Sequence, residues 1–579
     1  MAIIGIDLGT TNSLCAAWQN GKSVLIPNAL GKILTPSVVS IDDNGTVITG
    51  EIAKQRLVSH PGKTASVFKQ WMGTSKTFSL DEKEFTPEDL SSFILRSLKN
   101  DAEAFLKETI TEAIISVPAY FNDRQRTATR TAGMLAGLKV DRILNEPSAA
   151  ALAYRQHGIH DGTSVVFDFG GGTLDVSVLD SFGNIVDILA VAGDNHLGGS
   201  DIDKAIVSAF FEEHTELGKL WEDEKLPKEQ FNMLIKTAEN CKMALTDNPQ
   251  VFMIFSHNGK EYKMMLNNEK LTDICSPTLL KFNNAVKRAL QNAEKTLPRI
   301  DNFILVGGSC RMPIVKEYLQ TITQKPPLFE VDPDLAVVSG LGVAAGIKER
   351  DENIRDMVLM DICPFSLGVS VRKGELNNRF SPIIPRNSAL PTSRVEHYST
   401  IADFQTEIYF RIYQGESLEA SQNLLLGECE IPVPPLPAGE AAVKVRFTYD
   451  INGILDIEFH VWQSGEKFQK LIISDNQLTE EELQKRLDAL SKLKLNPREL
   501  EENKLLIARG QRLYEEYTGP FQQRIENSLL EFEHALLHGH SLQIAKLYEK
   551  TSIYFDHLDL LLNNLLFTGE IDYQDEYEE

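Results

Sequence analysis

One stretch near the start of the chain is echoed a domain length later. The first copy is Ile4-Gly-Ile-Asp-Leu-Gly-Thr-Thr-Asn-Ser13, and the second is Val165-Val-Phe-Asp-Phe-Gly-Gly-Gly-Thr-Leu-Asp175. In both, an apolar β-type run reaches an Asp, then an apolar residue, then Gly, then hydroxyl side chains. Asp7 aligns with Asp168 and Gly9 with Gly170. Each copy continues into a second apolar run, Leu14 to Trp18 and Val176 to Leu179. Two strands joined by a short glycine-rich turn read as a hairpin. Two such units so far apart predict a duplicated, two-lobed α/β architecture. A third turn follows in Phe303-Ile-Leu-Val-Gly-Gly-Ser-Cys-Arg-Met-Pro-Ile314, which reads strand, Gly-Gly turn, helix. Pro313 suits the first turn of that helix. Asn122 to Leu138 and Glu146 to Tyr154 carry the helix formers an α/β domain needs.

These turns point to phosphate. A polyphosphate requires backbone N–H groups that approach closely, hence glycine, together with hydroxyl donors. Gly9-Thr10-Thr11 and Gly170-Gly171-Gly172-Thr173 supply both. Asp7 and Asp168 sit at the strand ends beside them, where a carboxylate pair suits a hydrated Mg²⁺. The Gly307-Gly308 turn is placed to take a nucleoside. One glycine-rich hairpin alone is more often only a turn. Three turns, two with a matched Asp, argue for a nucleotide cleft between lobes. Gly62-Lys63-Thr64 has Leu57 where a GxxxxGK[ST] loop needs its first glycine, and no GxGxxG opens a helix, which disfavours P-loop and Rossmann folds.

The rest of the chain divides by pattern. At ~100–200 residues per domain, 579 residues predict three or four domains. Lys348-Glu-Arg-Asp-Glu-Asn353 is charged, and Met357-Val-Leu-Met360 is a short apolar segment between acids. We expect a nucleotide-binding domain over 1–353 and a linker over 354–361, whose apolar residues imply docking in one state. Alternating runs separated by turn signals predict an all-β sandwich over 362–475. A helical region over 476–568 opens at Thr479-Glu-Glu-Glu482, a capping box, and restarts at Asn496-Pro-Arg-Glu499. Phe521, Ile525, Leu529, Phe532 and Leu536 share one helix face. Residues 569–579 read as a solvated acidic tail.

Composition narrows the function classes. A net charge of −24 argues against a constitutive nucleic-acid partner. No apolar run reaches the ~18–20 residues of a membrane span. Six cysteines without a CxxC pair suggest free thiols, and the N-terminus lacks a signal-peptide pattern. We expect a cytoplasmic protein. His534, His538 and His540 cluster, but their bland reading is helix surface or packing.

Several segments together resemble the 70-kilodalton heat-shock, DnaK-type chaperone family. They are Ile6 to Ser13, Val117-Pro-Ala-Tyr-Phe121, Asn145-Glu-Pro-Ser-Ala-Ala150, Asp168 to Thr173, Leu305 to Ser309 and Asp361-Ile-Cys-Pro-Phe-Ser-Leu-Gly368. The resemblance runs from residue 3 to about 475 and looks most like the divergent bacterial branch called HscC. It implies an actin-like ATPase, a peptide-binding sandwich and a short helical lid. It implies ATP/ADP and Mg²⁺ as cofactors, with K⁺ a further candidate. Extended apolar polypeptides would be the clients and a J-domain protein the activating partner. Need for a nucleotide exchange factor stays open, because 250–266 is trimmed where such factors dock.

The resemblance also implies roles. Asp7, Asp168 and Asp175 would hold Mg²⁺ through water. Gly9, Thr10, Thr11, Gly170, Gly171, Gly172 and Thr173 would cradle phosphates. Lys69 and Glu146 would place the attacking water, with Asp168 and Thr173 beside them. Glu239, Lys242, Gly307, Gly308, Ser309, Arg311 and Asp334 would form the adenosine pocket. Gly198, Gly199 and Asp201 would belong to a loop closing over nucleotide. Pro118 and Arg126 would relay nucleotide state to the linker residues Val358 and Leu359. Val369, Val371, Ile401, Ile408 and Phe410 would line the peptide groove, with Ile408 at its central pocket.

Read from the residues alone, Lys69 is a surface lysine and those five apolar residues are sandwich core. Departures from the family pattern are a shortened 69–118 stretch, Arg372 over the groove, Met243 in place of a stacking Arg, and a short lid. Two alternatives are a specialised nucleotide-regulated binding protein with few clients and a small-molecule kinase on the same core. The linker and sandwich argue against the kinase. Joint retention of Asp7, Lys69, Glu146, Asp168 and Thr173 argues against a degraded ATPase.

Overall fold

The computed structural model describes residues 2–568, apart from 158–160, 329–330, 374–375, 452, 473–479, 492, 494, 496–500, 518–519 and 539–540. The expected cap at Thr479, the restart at 496–499, His540 and the acidic tail therefore lie outside the described residues.

Each copy of the echoed motif becomes an antiparallel hairpin at the heart of a sheet. Strand Ile3–Leu8 pairs with Asn12–Gln19, placing Asp7 opposite Leu14. Strand Gly162–Phe169 pairs with Leu174–Phe182, placing Asp168 opposite Asp175. Each hairpin gains a third, meandering strand, Lys22–Ile26 in one lobe and Ile185–Asp194 in the other. Each also gains a parallel partner on its far side, Glu112–Val117 and Asn302–Val306 respectively. These parallel strands are near-continuous apolar runs, as strands covered on both faces are.

Two helices pack between the sheets, Glu146–Gln156 and Ala336–Lys348. The run Ala149 to Ala153 is buried there. A Cβ on Gly340 would lie 1.7 Å from the Ala149 carbonyl oxygen, so the crossing depends on glycine. The small side chains that read as helix formers also set how closely the two lobes' helices approach.

The apolar linker is used as a strand. Val358–Met360 pairs in parallel with Ile185–Asp194 at the edge of the second-lobe sheet, in the register Ile185↔Val358, Val186↔Leu359, Asp187↔Met360. Met357 and Leu359 pack against the interlobe core. Beyond it stand two four-stranded antiparallel sheets. Their inner faces meet in one core, with the Phe410 and Phe459 rings 5.0 Å apart.

The C-terminal helices pack onto the two-lobed domain. Leu490 lies in the first-lobe core, and Arg486 pairs with Asp89 at 2.9 Å. Helix Glu501–Glu516 lays Leu505 and Ala508 against Val38, Ile48, Ile52 and Ala53 of the first lobe. Its Glu516 carboxylate meets Lys236 of the second-lobe helix Lys228–Ala244. Helix Pro520–His538 buries the predicted face, with Ile525 and Phe532 fully enclosed and Phe521, Leu529 and Leu536 packed beside them. The resemblance implies a lid here, and these helices pack against both lobes of the N-terminal domain. All six cysteines are free.

Candidate nucleotide cleft

A cavity of about 640 Å³ opens between the lobes, a size suited to a nucleotide-sized ligand. Its floor is the two hairpin turns, which touch: a Cβ on Gly171 would lie 1.8 Å from Thr11 Oγ1. Gly9, Thr10, Thr11, Gly170, Gly171 and Thr173 line this floor. Asp7 and Asp168 stand at the adjoining strand ends, also lining it. Asp175, Gly172, Gly198 and Asp201 are not among the lining residues. Asp201 accepts from the Gly198 N–H at 2.9 Å and thereby caps helix Gly199–Glu213.

The two catalytic candidates from the first lobe meet. Lys69 Nζ lies 2.8 Å from Glu146 Oε1, and both are buried. Lys69 also sits over the Phe121 ring, 5.7 Å from its centroid. A residue that reads as a surface lysine is 3% exposed, because the single turn Phe68–Trp71 is pinned by Phe68 and Met72 in the core. Truncating one member of such a buried pair costs roughly 3–5 kcal/mol, since the other charge stays uncompensated.

Carboxylates outnumber cations here. Burial, reinforced by the Glu146 charge, raises Asp7 to about 6. The same two causes raise Asp175 to about 8. Asp168 is raised well above its ordinary value by burial and then by Glu146, Asp175 and Asp7. Asp175 Oδ1 accepts from the Tyr120 N–H at 3.2 Å, while its Oδ2 is buried without a partner. Ser116 donates to Asp7 at 2.7 Å. Such a surplus of desolvated negative charge fits a divalent cation. Among the described residues no three His, Cys, Asp or Glu side chains converge to ligate an ion directly. A small set of carboxylates of this kind suits a cation that keeps several waters.

Glu239, Lys242, Gly307, Gly308, Ser309, Arg311 and Asp334 all line the cavity. Arg311 pairs with Asp334 at 2.8 Å. Lys242 pairs with Asp203 at 2.7 Å and donates to the Gly199 carbonyl at 3.1 Å. Gly307 adopts φ +84°, a left-handed conformation that glycine takes without strain. Met243 is half-exposed on the lining.

The cleft is wired to the linker through adjacent residues. Glu146 holds Lys69, and its neighbour Asn145 donates to both oxygens of Asp361, at 2.8 and 2.9 Å. Ser148 adds a third hydrogen bond to Asp361. Arg126 donates to Asn145 Oδ1 at 2.6 Å and to the Ala119 carbonyl, beside the buried Pro118. The sandwich is joined directly, with Gln414 accepting from the Asp123 N–H at 2.8 Å. Asn145 and Asp361 both fall inside quoted motifs, yet sequence reasoning assigned neither a role. Their signal was position, one residue from Glu146 and one from the linker strand.

The five groove candidates separate. Val369 and Phe410 are enclosed in the sandwich core, and Val371 and Ile408 are half-buried against it. Strand alternation puts Ile408 and Phe410 on one face, the inner one. Ile401 is exposed. Arg372 is exposed on the strand Leu367–Lys373. The rings of His534 and His538 lie 4.9 Å apart on one helix.

Fold and cleft together define a class: a two-lobed phosphate-binding ATPase whose nucleotide site is hydrogen-bonded through a docked linker to a β-sandwich. The family model described as Hsp70 protein matches residues 3–80 and 74–527. The chain is 36% identical over 513 residues to the "Chaperone protein DnaK" of Thermotoga petrophila, of Thermotoga maritima and of Thermotoga neapolitana, covering 86% of this chain and 85% of each relative. The chain belongs to the Hsp70 family and is an ATP hydrolase coupled to chaperone function.

Proposed function

We propose that the protein alternates between a client-exchanging state, the one described here, and a client-holding state, under control of hydrolysis in this cleft. The observation that carries this reading is the chain Lys69–Glu146/Asn145–Asp361, which ends at the linker strand. When bound, MgATP supplies the transferable phosphoryl group and a cation that offsets its charge. Hydrolysis of this kind needs positioning and charge stabilisation rather than covalent chemistry. Lys69 is held by Glu146 where it can stabilise developing negative charge and orient water. The hairpin turns offer N–H and hydroxyl donors. Asp7, Asp168 and Asp175 are the residues suited to the hydrated Mg²⁺, and K⁺ is a further candidate for the same acidic cleft.

With the linker paired and the C-terminal helices on the ATPase, the groove side of the sandwich is open to clients. Loss of the linker strand would free both. We assign domain boundaries of 1–353, 354–361, 362–475 and 476–568 on this basis. We read the clients as extended apolar segments entering by strand addition beside Val371, Ile401 and Ile408. A J-domain protein is the activating partner and the HscC branch the placement we favour. The cytoplasm is the compartment we propose; among the described residues no helix is long and apolar enough to cross a membrane.

The test is Leu359→Asp, which places a charge in the interlobe core at the paired linker. Peptide release from this variant should no longer accelerate when ATP is added. Release that stays ATP-accelerated would disprove the coupling.

A further inference from the structure

We propose that Gln70 is a positioning residue for hydrolysis: it holds the phosphate loop Gly170–Thr173 across the cleft. The proposal rests on the assignment of this cleft to ATP.

The warrant begins with a strained turn. Val67 has φ 57°, a left-handed conformation that a β-branched residue adopts only when its surroundings impose it. What imposes it is packing. Phe68 and Met72 are buried in the first-lobe core, with Phe68 edge-on to Phe78 at 6.5 Å. Between these anchors, consecutive side chains are aimed differently. Lys69 turns to Glu146. Gln70 reaches the opposite lobe, where its Nε2 donates to the Gly172 carbonyl at 3.0 Å. The next residue, Trp71, lies 6.3 Å from the ring of His196, just before Gly198. One turn thus delivers a cavity-lining lysine and ties itself to the far wall.

The Gly172 contact has a specific consequence. Gly171 and Thr173 line the cavity, whereas Gly172 and Gln70 do not. The hydrogen bond therefore joins two residues outside the cavity lining. A Cβ on Gly172 would come within 2.5 Å of Gln70 Nε2 and 2.7 Å of Thr10 Cγ2, so only glycine admits this approach. A glycine-rich loop can rotate a peptide plane at little steric cost. In a trans peptide the carbonyl and the following N–H point to opposite sides. With the Gly172 carbonyl held by Gln70, the Thr173 N–H is held too. Rotating that plane would turn a carbonyl oxygen towards the phosphate site, where it repels anionic oxygens, and would withdraw a donor. Gln70 opposes that rotation without touching nucleotide.

Gln70→Met keeps side-chain length and removes the donor, and Gln70→Arg keeps a donor of sufficient reach. In the full-length, nucleotide-free protein, hydrogen–deuterium exchange over 170–173 should be faster in Gln70→Met and unchanged in Gln70→Arg. Single-turnover ATP hydrolysis by Gln70→Met should fall by about threefold to tenfold, the range one neutral hydrogen bond supports. Its ATP dissociation constant should stay within about twofold, and Gln70→Arg should restore the rate. Wild-type exchange and rate in Gln70→Met would overturn the proposal, and so would a Gln70→Arg variant as impaired as Gln70→Met. Lys69→Ala serves as the control for the underlying assignment. If it hydrolyses ATP normally, the reading of the cleft fails, while the exchange measurement still decides whether Gln70 holds the loop.

Discussion

In the nucleotide cleft, Asp175, Glu146 and Lys69 are buried and held by protein partners, with Asp168 buried among them, whereas on the sandwich Ile401 and Phe404 stand 60% and 69% exposed. The cleft stabilises charge by having its dipoles and ions in place, so that nothing must reorganise during reaction. The sandwich keeps only its core fixed and leaves apolar surface for something else to cover. The C-terminal helices instead pack on both lobes of the ATPase. The contrast teaches that the same chain holds a preorganised site and an available one at once. The linker strand and the Asn145–Asp361 hydrogen bonds join them.

The sharpest way to break the comparison is Lys69→Ala. Hydrolysis should fall on the order of 10²–10³-fold, the loss expected from removing one preorganised stabilising group. Peptide affinity measured with ADP should not change. Single-turnover hydrolysis and peptide anisotropy on the same preparation check both halves.

Next is the connection. Asp361→Ala removes three hydrogen bonds that the carboxylate accepts from Asn145 and Ser148, and a fourth from the Ile362 N–H. Hydrogen bonds to charged groups contribute roughly 1.5–3 kcal/mol, so the docked arrangement should lose about 10- to 100-fold in population. ATP-accelerated peptide release should shrink accordingly while single-turnover hydrolysis persists. Equal release rates in variant and wild type would remove Asp361 from the coupling path.

A smaller effect is expected at the helices. Glu516 meets Lys236 of the second lobe and Arg512 of its own helix, and Arg512 continues to Asp559 at 2.6 Å. Glu516→Ala should loosen the bundle from the second lobe while leaving Leu505 and Ala508 on the first. A pair of fluorescent labels on helices Lys228–Ala244 and Pro520–His538 should report a longer mean distance. An unchanged distance would mean that apolar packing alone holds the bundle there.

The smallest is a pH dependence. Asp175 is raised to about 8 by burial and by Glu146. Between its ordinary value and about 8 the folded protein binds more protons at this group than the unfolded chain, so the group's contribution to stability declines as pH rises through that window. Asp175→Asn should therefore raise the Tm of the metal- and nucleotide-free protein relative to wild type, more at pH 8 than at pH 6. A difference in Tm that does not change with pH would contradict it.

Much of this was legible in local sequence. The two Asp-x-Gly hairpins, the Gly307-Gly308 turn, the linker's apolar residues and the shared face of Phe521 to Leu536 are short-range patterns, and periodicity and turn chemistry act at short range. The alanine run from Ala149 was legible as helix but not as interlobe contact, because a 1.7 Å constraint at Gly340 exists only once Ala149 is opposite it. The resting place of the C-terminal helices was not legible, since an amphipathic face states that it must be covered and not by what.

The sequence by itself determined a duplicated phosphate-binding core, an apolar linker and an alternating β domain, because glycine, carboxylate and periodicity are properties of neighbours in the chain. Only the tertiary structure decided which side chains meet. Lys69 became a buried partner of Glu146 because Phe68 and Met72 pin its turn, and Gln70 gained a role because the opposite lobe brings Gly172 within 3.0 Å. Such contacts lie 77 and 102 residues apart in the chain. Long-range packing sets those distances, and no local pattern encodes them.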